Sequence, residues 1–160
     1  MRIMMMTAAL LAASAPVALS AKALPTPQYL MKAGASDMFE IESAKVMMAS
    51  ANPKIHDFAQ MMVTDHTQST ADVKAAAMQA GLHPAPPHLS PKQNSDLAAL
   101  RSAKGPARDA LYVRQQKMAH NEALMVQSDY ATGGSVAPLR MTASKIVPVV
   151  KHHIEMLGTM

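Results

Sequence analysis

The sequence predicts an all-α fold: a four-helix bundle with a long crossover between the second and third long helices. Three observations lead to this prediction. Alanine and methionine favour helix and are abundant, and no stretch alternates apolar and polar residues as a strand does. Prolines and glycines cluster at a few positions and divide the chain into helical stretches. One connection, residues 82–105, is long enough to cross the length of a bundle.

The first 21 residues have the features of a cleavable secretory signal peptide. A positive charge at Arg2 precedes an almost wholly apolar run, residues 3–19, and small residues follow that run. We predict cleavage after Ser20 or Ala21, with Ala23 as a further candidate site, and a cut after Ala21 leaves residues 22–160 as a single domain. A spanning helix needs about 20 apolar residues. The run is slightly short for that, so an uncleaved membrane anchor is the less favoured alternative.

The composition excludes several classes of protein. The chain contains no cysteine, which rules out a disulfide scaffold, a thiolate metal site and a cysteine nucleophile. Its formal net charge of +4 is spread along the sequence and is too weak to indicate nucleic-acid binding. No second segment is apolar enough to span a membrane. We therefore expect a periplasmic protein without a transmembrane span after cleavage, either free or peripheral to the outer membrane.

The first two long helices are predicted from their boundary residues. The first occupies about residues 28–50 and follows two prolines. The second starts at Asn52-Pro53, where asparagine serves as the N-cap and proline takes the first helical position. It runs to about residue 80, and Gly81 suits the left-handed conformation that commonly ends a helix.

The remaining helices follow a proline-rich linker. A short helix is predicted over residues 91–102, and a third long helix over 105–132, ending before a pair of glycines. Ser135 is the expected cap of the last helix, which reaches about Leu157 and contains Pro148 as a kink.

An α-helix rotates by about 100° per residue. On this basis each long helix carries one glutamate or histidine on its predicted apolar face. These four residues are Glu42, His66, His120 and His153. A buried carboxylate is costly unless it is paired or coordinated. Three imidazoles and a carboxylate are familiar ligands of divalent transition metals, and inward glutamate and histidine side chains build the metal sites of four-helix carboxylate proteins. The sequence thus predicts one metal site, with Asp65 as an alternative or supporting ligand.

A purely structural interpretation stays open beside the metal site. Glu42 could form a buried ion pair with His66 or His153 that only sets the helix register. The spacing also argues against a single four-residue site. In a tight hairpin His66 lies about 7 Å beyond the level of Glu42 along the axis, so two smaller clusters are an alternative arrangement. The 12 methionines after the signal have core-like spacing, which predicts core filling rather than Cu(I) binding.

Segments of all four long helices resemble a family of exported bacterial proteins of unknown function, often labelled putative outer-membrane proteins. The resemblance is carried by residues 33–42 (AGASDMFEIE), 58–67 (FAQMMVTDHT) and 147–153 (VPVVKHH), and by the helix around His120. It implies a ferritin-like four-helix bundle. It also implies that Glu42 and the three histidines occupy the family's characteristic acidic and histidine positions. It supplies no activity.

The functional hypotheses that follow belong to three classes. The first is a binding protein with a Glu/His core site for one divalent transition metal, in an envelope or stress role. The second is a structural or interaction protein of the cell envelope, whose inward polar residues form only a buried network. The third, a metal-dependent oxidase, is the least favoured because the Glu-x-x-His pairs of diiron ferritin-like proteins do not occur in the sequence.

Overall fold

The structure, a computed structural model, describes residues 23–160, and these residues form helices and no strand. The helices are α1 (Thr26–Met47), α2 (Pro53–Gln79), α3 (Pro91–Ser102), α4 (Gly105–Gly133) and α5 (Ala137–Gly158). The all-α prediction is confirmed, and each predicted boundary lies within three residues of the observed one. The predicted signal peptide, residues 1–21, lies outside the described residues.

Local signals account for the starts of α2 and α3. The Asn52 side chain accepts a hydrogen bond from the Lys54 backbone N–H at 3.1 Å. Ser90 and Gln93 form a reciprocal capping box, in which each side chain accepts a hydrogen bond from the other's backbone N–H. Both helices place proline at the first position, where the missing N–H costs nothing.

Gly81 ends α2 as the sequence predicts. Its φ of 71° is left-handed, and the N–H groups of Gly81 and Leu82 donate to the carbonyls of Met78 and Ala77, both at 2.9 Å. This is the Schellman arrangement, which satisfies carbonyls left free at a helix end.

The predicted cap of the last helix is wrong. Helix α5 begins at Ala137, its N-cap is Val136, and no side chain caps it. The Ser135 hydroxyl instead forms a hydrogen bond of 3.0 Å with the hydroxyl of Thr26. The Ser135 hydroxyl therefore makes a tertiary contact and does not cap the helix, as the local sequence pattern predicted it would.

The long helices pack as a ring in which α1 contacts α2 and α4, and α5 contacts α4 and α2. One end of the ring has a core built from the start of α1 and α5 and the end of α2 and α4. The other end has a core built from the opposite ends of the same helices. Neighbouring long helices are therefore antiparallel, and the connection from α2 to α4 must run from one end to the other.

The crossover that makes this connection packs along α1 and α4. It carries α3, which contacts both of those helices. Leu82 packs against the core at one end, and Leu100 is buried in the core at the other. Gly34 allows the close approach of the crossover, since a Cβ at that position would lie 2.8 Å from the Cβ of Pro87.

The prediction that methionine serves to fill the core is wrong for most of the residues concerned. Met47 and Met62 are fully buried. Seven other methionines are exposed: Met31, Met38, Met48, Met78, Met118, Met125 and Met141. Methionine is unbranched and a good helix former, so it is also tolerated on helix surfaces.

Within residues 23–160, none of the helices combines the length and apolar character that a membrane-crossing helix needs.

Candidate metal centre

Three histidines from three different helices meet midway between the two apolar cores. They are His66 of α2, His120 of α4 and His153 of α5, and all three are buried. The ring centroids are separated by 5.6 Å for His66 and His120, 5.5 Å for His66 and His153, and 5.3 Å for His120 and His153. Each ring offers one nitrogen, and these nitrogens lie within 4.8 Å of one another. We call these three residues the histidine cluster.

One nitrogen of each ring is held by an acceptor at the edge of the histidine cluster. The Nδ1 of His66 lies 2.8 Å from Oδ1 of Asp37. The Nδ1 of His120 lies 2.9 Å from the backbone carbonyl of Gln116. The Nε2 of His153 lies 3.0 Å from Oδ2 of Asp65. Because a carboxylate or a carbonyl oxygen only accepts, each of these ring nitrogens carries the hydrogen and donates it.

The other nitrogen of each neutral ring then carries a lone pair. In His66 this is Nε2, which is buried and has no hydrogen-bond partner among the described residues. In His120 and His153 they are Nε2 and Nδ1, which face each other at 3.3 Å. Two lone pairs at this distance repel unless a cation lies between or beside them. The histidine cluster is therefore arranged to hold either a shared proton or a metal ion.

The electrostatics of the metal-free cluster differ from ring to ring. Burial, together with the neighbouring His66 and His153, lowers the pKa of His120 to about 3. Burial likewise lowers the pKa of His153, in spite of the hydrogen bond to Asp65. Burial acts in the same direction on His66, but nearby carboxylates, first among them Asp37, outweigh it and raise the pKa. Without a metal, His66 is therefore the ring of the three that most readily takes up a proton.

Glu40 of α1 is the most unusual charged group near the histidine cluster. It is completely buried, and neither of its carboxyl oxygens has a hydrogen-bond partner in residues 23–160. Its Oε1 lies 3.6 Å from Nδ1 of His120. Burial raises the pKa of Glu40 to about 7. Glu40, Asp37 and Asp65 bring three carboxyl groups to three imidazoles, a composition that favours a divalent cation at the centre.

The sequence-based placement of Glu42 in the core is wrong. Glu42 lies on the outer side of α1, about a third exposed, and its carboxylate pairs with Lys45 at 2.8 Å and with Arg101 of α3 at 3.6 Å. Side chains two positions apart on a helix point about 200° away from each other. Because Glu40 is buried, Glu42 therefore faces outward. The apolar residues of α1 lie on several sides of the helix, because the crossover covers it in addition to α2 and α4. Sequence pattern alone therefore did not identify its buried face.

The structure brings together three of the four predicted residues and adds two acidic residues that the sequence pattern does not predict. His66, His120 and His153 form one cluster, so the alternative arrangement of two smaller clusters is wrong for the histidines. Asp65 supports His153, in one of the two roles predicted for it. The missed residues are Asp37 and Glu40, which are buried between the two cores.

The register of the hairpin formed by the first two helices indicates that Asp37 lies near His66. A tight turn around residue 51 places His66 level with about residue 36, which is next to Asp37. The observed hydrogen bond between Asp37 and His66 follows from that register. No comparable feature of the sequence indicates that Glu40 is buried. Glu40 and Glu42 are both glutamates, and the sequence pattern does not show which of the two faces the solvent.

The family model described as "Domain of unknown function (DUF4142)" matches residues 9–160. The chain belongs to this family. No protein with a curated description matches the chain. The crystal structure of a DUF305 fragment from Deinococcus radiodurans is similar to this DUF4142 chain, with a TM-score of 0.72 and 15% sequence identity, covering 87% of this chain and 97% of that one. At this level of identity the similarity concerns the fold alone.

Proposed function

We propose that the protein binds one divalent transition metal ion through His66, His120 and His153. The observation that carries this proposal is the convergence of three imidazole lone pairs, each fixed in direction by an acceptor on the opposite nitrogen. Histidines that bind metals in proteins commonly donate their second N–H to a carboxylate or a backbone carbonyl in this way, which fixes the tautomer and the ring orientation.

The surroundings of the histidine cluster favour a cation of charge +2. Asp37 and Asp65 accept hydrogen bonds from two of the three imidazoles, and Glu40 lies 3.6 Å from the third. Three imidazoles leave a fourth coordination position, which is the ligand number of catalytic rather than structural zinc sites. The ring nitrogens suit zinc, copper, iron and nickel alike, so the donor set alone does not select among them.

We further propose that this site belongs to an exported, periplasmic protein with a ferritin-like bundle. The N-terminal sequence pattern supports export. The antiparallel ring of long helices and the crossover from α2 to α4 support the ferritin-like arrangement. The N-terminal residue of the protein recovered from the periplasm, determined by mass spectrometry, tests the export proposal. Cleavage after Ser20 or Ala21 is expected, and recovery of intact residues 1–21 in the cytoplasm contradicts it.

The competing function is a structural protein whose buried polar groups only specify the packing. Hydrogen bonds between buried side chains of different helices favour this function. For example, the Gln116 amide donates a hydrogen bond to the Ser43 hydroxyl at 3.0 Å. The hydroxyl of Tyr29 similarly donates to Gln127 at 2.9 Å. In this case the histidine cluster holds a proton and no metal.

Elemental analysis distinguishes the two functions. The mature protein is purified without chelator or affinity tag and compared with a His66→Ala/His153→Ala variant and with a control in which the surface histidines are replaced, His56→Ala/His83→Ala. We expect about one equivalent of a transition metal per chain in the first and third proteins and none in the second. If none of them holds a metal, even after anaerobic loading with iron, manganese, zinc and copper, the metal function is wrong.

A further inference from the structure

A cavity of about 550 Å³ opens onto the histidine cluster. His66 and His153 are among the residues that line it, whereas His120 is not. Among residues 23–160, the group that could hold a metal consists of the three histidines alone. A metal at this site therefore keeps an open coordination position, and the cavity reaches the site on the side of α2 and α5. Its volume falls within the range of about 300–1,000 Å³ that is typical of small-molecule sites.

The wall of this cavity is mainly apolar. Its apolar lining includes Phe39 of α1, Ala123 and Val126 of α4, and Ile146 and Val150 of α5. Such a wall stabilises an apolar ligand in proportion to the surface that the ligand removes from water. It offers no compensation for the lost hydration of a charged ligand.

Two polar groups in the cavity lack partners. The hydroxyl of Ser69, one turn beyond His66 on α2, is buried and makes no hydrogen bond within the described part of the chain. The Gln115 amide donates to the backbone carbonyl of Asp96 at 2.9 Å, but its Oε1 is buried with no donor. Both residues line the cavity. Unpartnered groups of this kind in an apolar cavity are positioned to orient a ligand.

The charged residues of the wall largely satisfy one another. Lys32 pairs with Glu122 at 3.3 Å, and Lys92 pairs with Asp96. The lining residue Asp37 is engaged with His66. Asp65 and Asp72 accept hydrogen bonds from His153 and Gln68, and Lys145 also lines the wall. Since most of these charged groups are engaged with partners and the wall is mainly apolar, the cavity favours an uncharged ligand over an ionic one.

We propose that the cavity binds a small, uncharged, largely apolar molecule that places one nitrogen or oxygen donor atom on the metal held by the histidine cluster. The hydroxyl of Ser69 and Oε1 of Gln115 orient that molecule through hydrogen bonds. This inference rests on the proposed metal function and gives it a ligand class: the metal serves as an anchor for an organic ligand and is not merely stored.

Cobalt(II) provides the probe, because its visible absorption reports the coordination of imidazole ligands. The cobalt-loaded protein is titrated with imidazole and with 4-phenylimidazole, which share the donor atom and differ in the apolar ring. We expect 4-phenylimidazole to bind at least about tenfold more tightly, because its phenyl ring is buried in the cavity. Equal affinities for the two probes overturn the inference and leave the metal site intact. A protein that gives no cobalt spectrum overturns the metal site itself.

Variants that fill the cavity test whether the phenyl ring of 4-phenylimidazole binds there. Ala123→Phe fills the cavity and should abolish the preference for 4-phenylimidazole while cobalt and imidazole still bind. Val126→Phe makes the same test from a second position on α4, should the first variant fail to fold. Ala110→Phe, on the exposed side of the same helix and outside the cavity, should keep the preference. If the preference persists in both filling variants, the phenyl ring does not occupy this cavity and the inference is wrong.

Discussion

Replacing Glu40 by glutamine should stabilise the metal-free protein at neutral and alkaline pH. The change removes a charge and keeps the size of a side chain that is completely buried with no hydrogen-bond partner in the described residues. Burial raises the pKa of Glu40 from 4.5 to about 7. Because the folded state binds the proton more tightly than the unfolded state, Glu40 is least costly below pH 4.5, and its cost grows as the pH rises to about 7.

The magnitude follows from this difference in pKa. One unit of pKa corresponds to about 1.4 kcal/mol, so the charged form of Glu40 lowers the free energy of unfolding by about 3 kcal/mol above pH 7. The gain in unfolding free energy of Glu40→Gln over the wild type should therefore be small near pH 4.5. It should increase to about 3 kcal/mol near pH 8.

Equilibrium urea denaturation in the presence of a chelator, repeated from about pH 4.5 to about pH 8, measures this gain. Glu42→Gln is the matched control, because Glu42 lies on the outer side of α1 and pairs only with partly exposed Lys45 and Arg101. An exposed pair of this kind contributes about 0–1 kcal/mol, and no rise with pH is expected for that variant. Parallel stability profiles for the wild type and Glu40→Gln, or a rise in the Glu42→Gln control instead, would contradict a buried, unpaired charge at Glu40.

Two further predictions concern the support of the site and the packing of the crossover. Asp65→Asn weakens the acceptor that orients His153 and should lower metal affinity about 10- to 100-fold, measured by competition with a chromophoric chelator. The exposed Asp57→Asn should leave the affinity unchanged, and an equal loss in both variants would contradict a specific role for Asp65. Gly34→Ala introduces a Cβ 2.8 Å from the nearest crossover proline and should cost about 1–3 kcal/mol in thermal or chemical unfolding. Gly158→Ala, whose Cβ meets nothing within 4 Å, should be neutral or stabilising by up to about 1 kcal/mol, and equal effects of the two glycine changes would exclude the clash.

The histidines of the site were accessible to sequence analysis because their helices have well-defined apolar faces. In α2 and α5 the buried residues follow the helical period closely, and His66 and His153 fall within that period. In α4 the buried set includes three glutamines, so its apolar face is weaker, yet His120 still lies between buried residues. The face of a helix depends on local periodicity, which the sequence contains.

The buried acidic residues near the histidine cluster, Asp37 and Glu40, could not be predicted from helical periodicity. The buried face of α1 depends on the packing of α2, α4 and the crossover around it. That arrangement buries Glu40 and Asp37 and leaves Glu42 beside Lys45 and Arg101. Apolar residues occur on several sides of α1, so no single stripe distinguished Glu40 from Glu42.

The helical class, the approximate helix boundaries and the three histidines can be predicted from the sequence alone, because capping residues, helix breakers and periodicity act over a few residues at a time. The packing of the helices determines that these histidines form a single cluster and which carboxylates join it. It also determines that a cavity opens onto them. These features depend on axial register and on the covering of α1 by the crossover, which are set by contacts between residues far apart in the chain. Burial is a property of packed surfaces, whereas the period of a helix is a property of its own backbone.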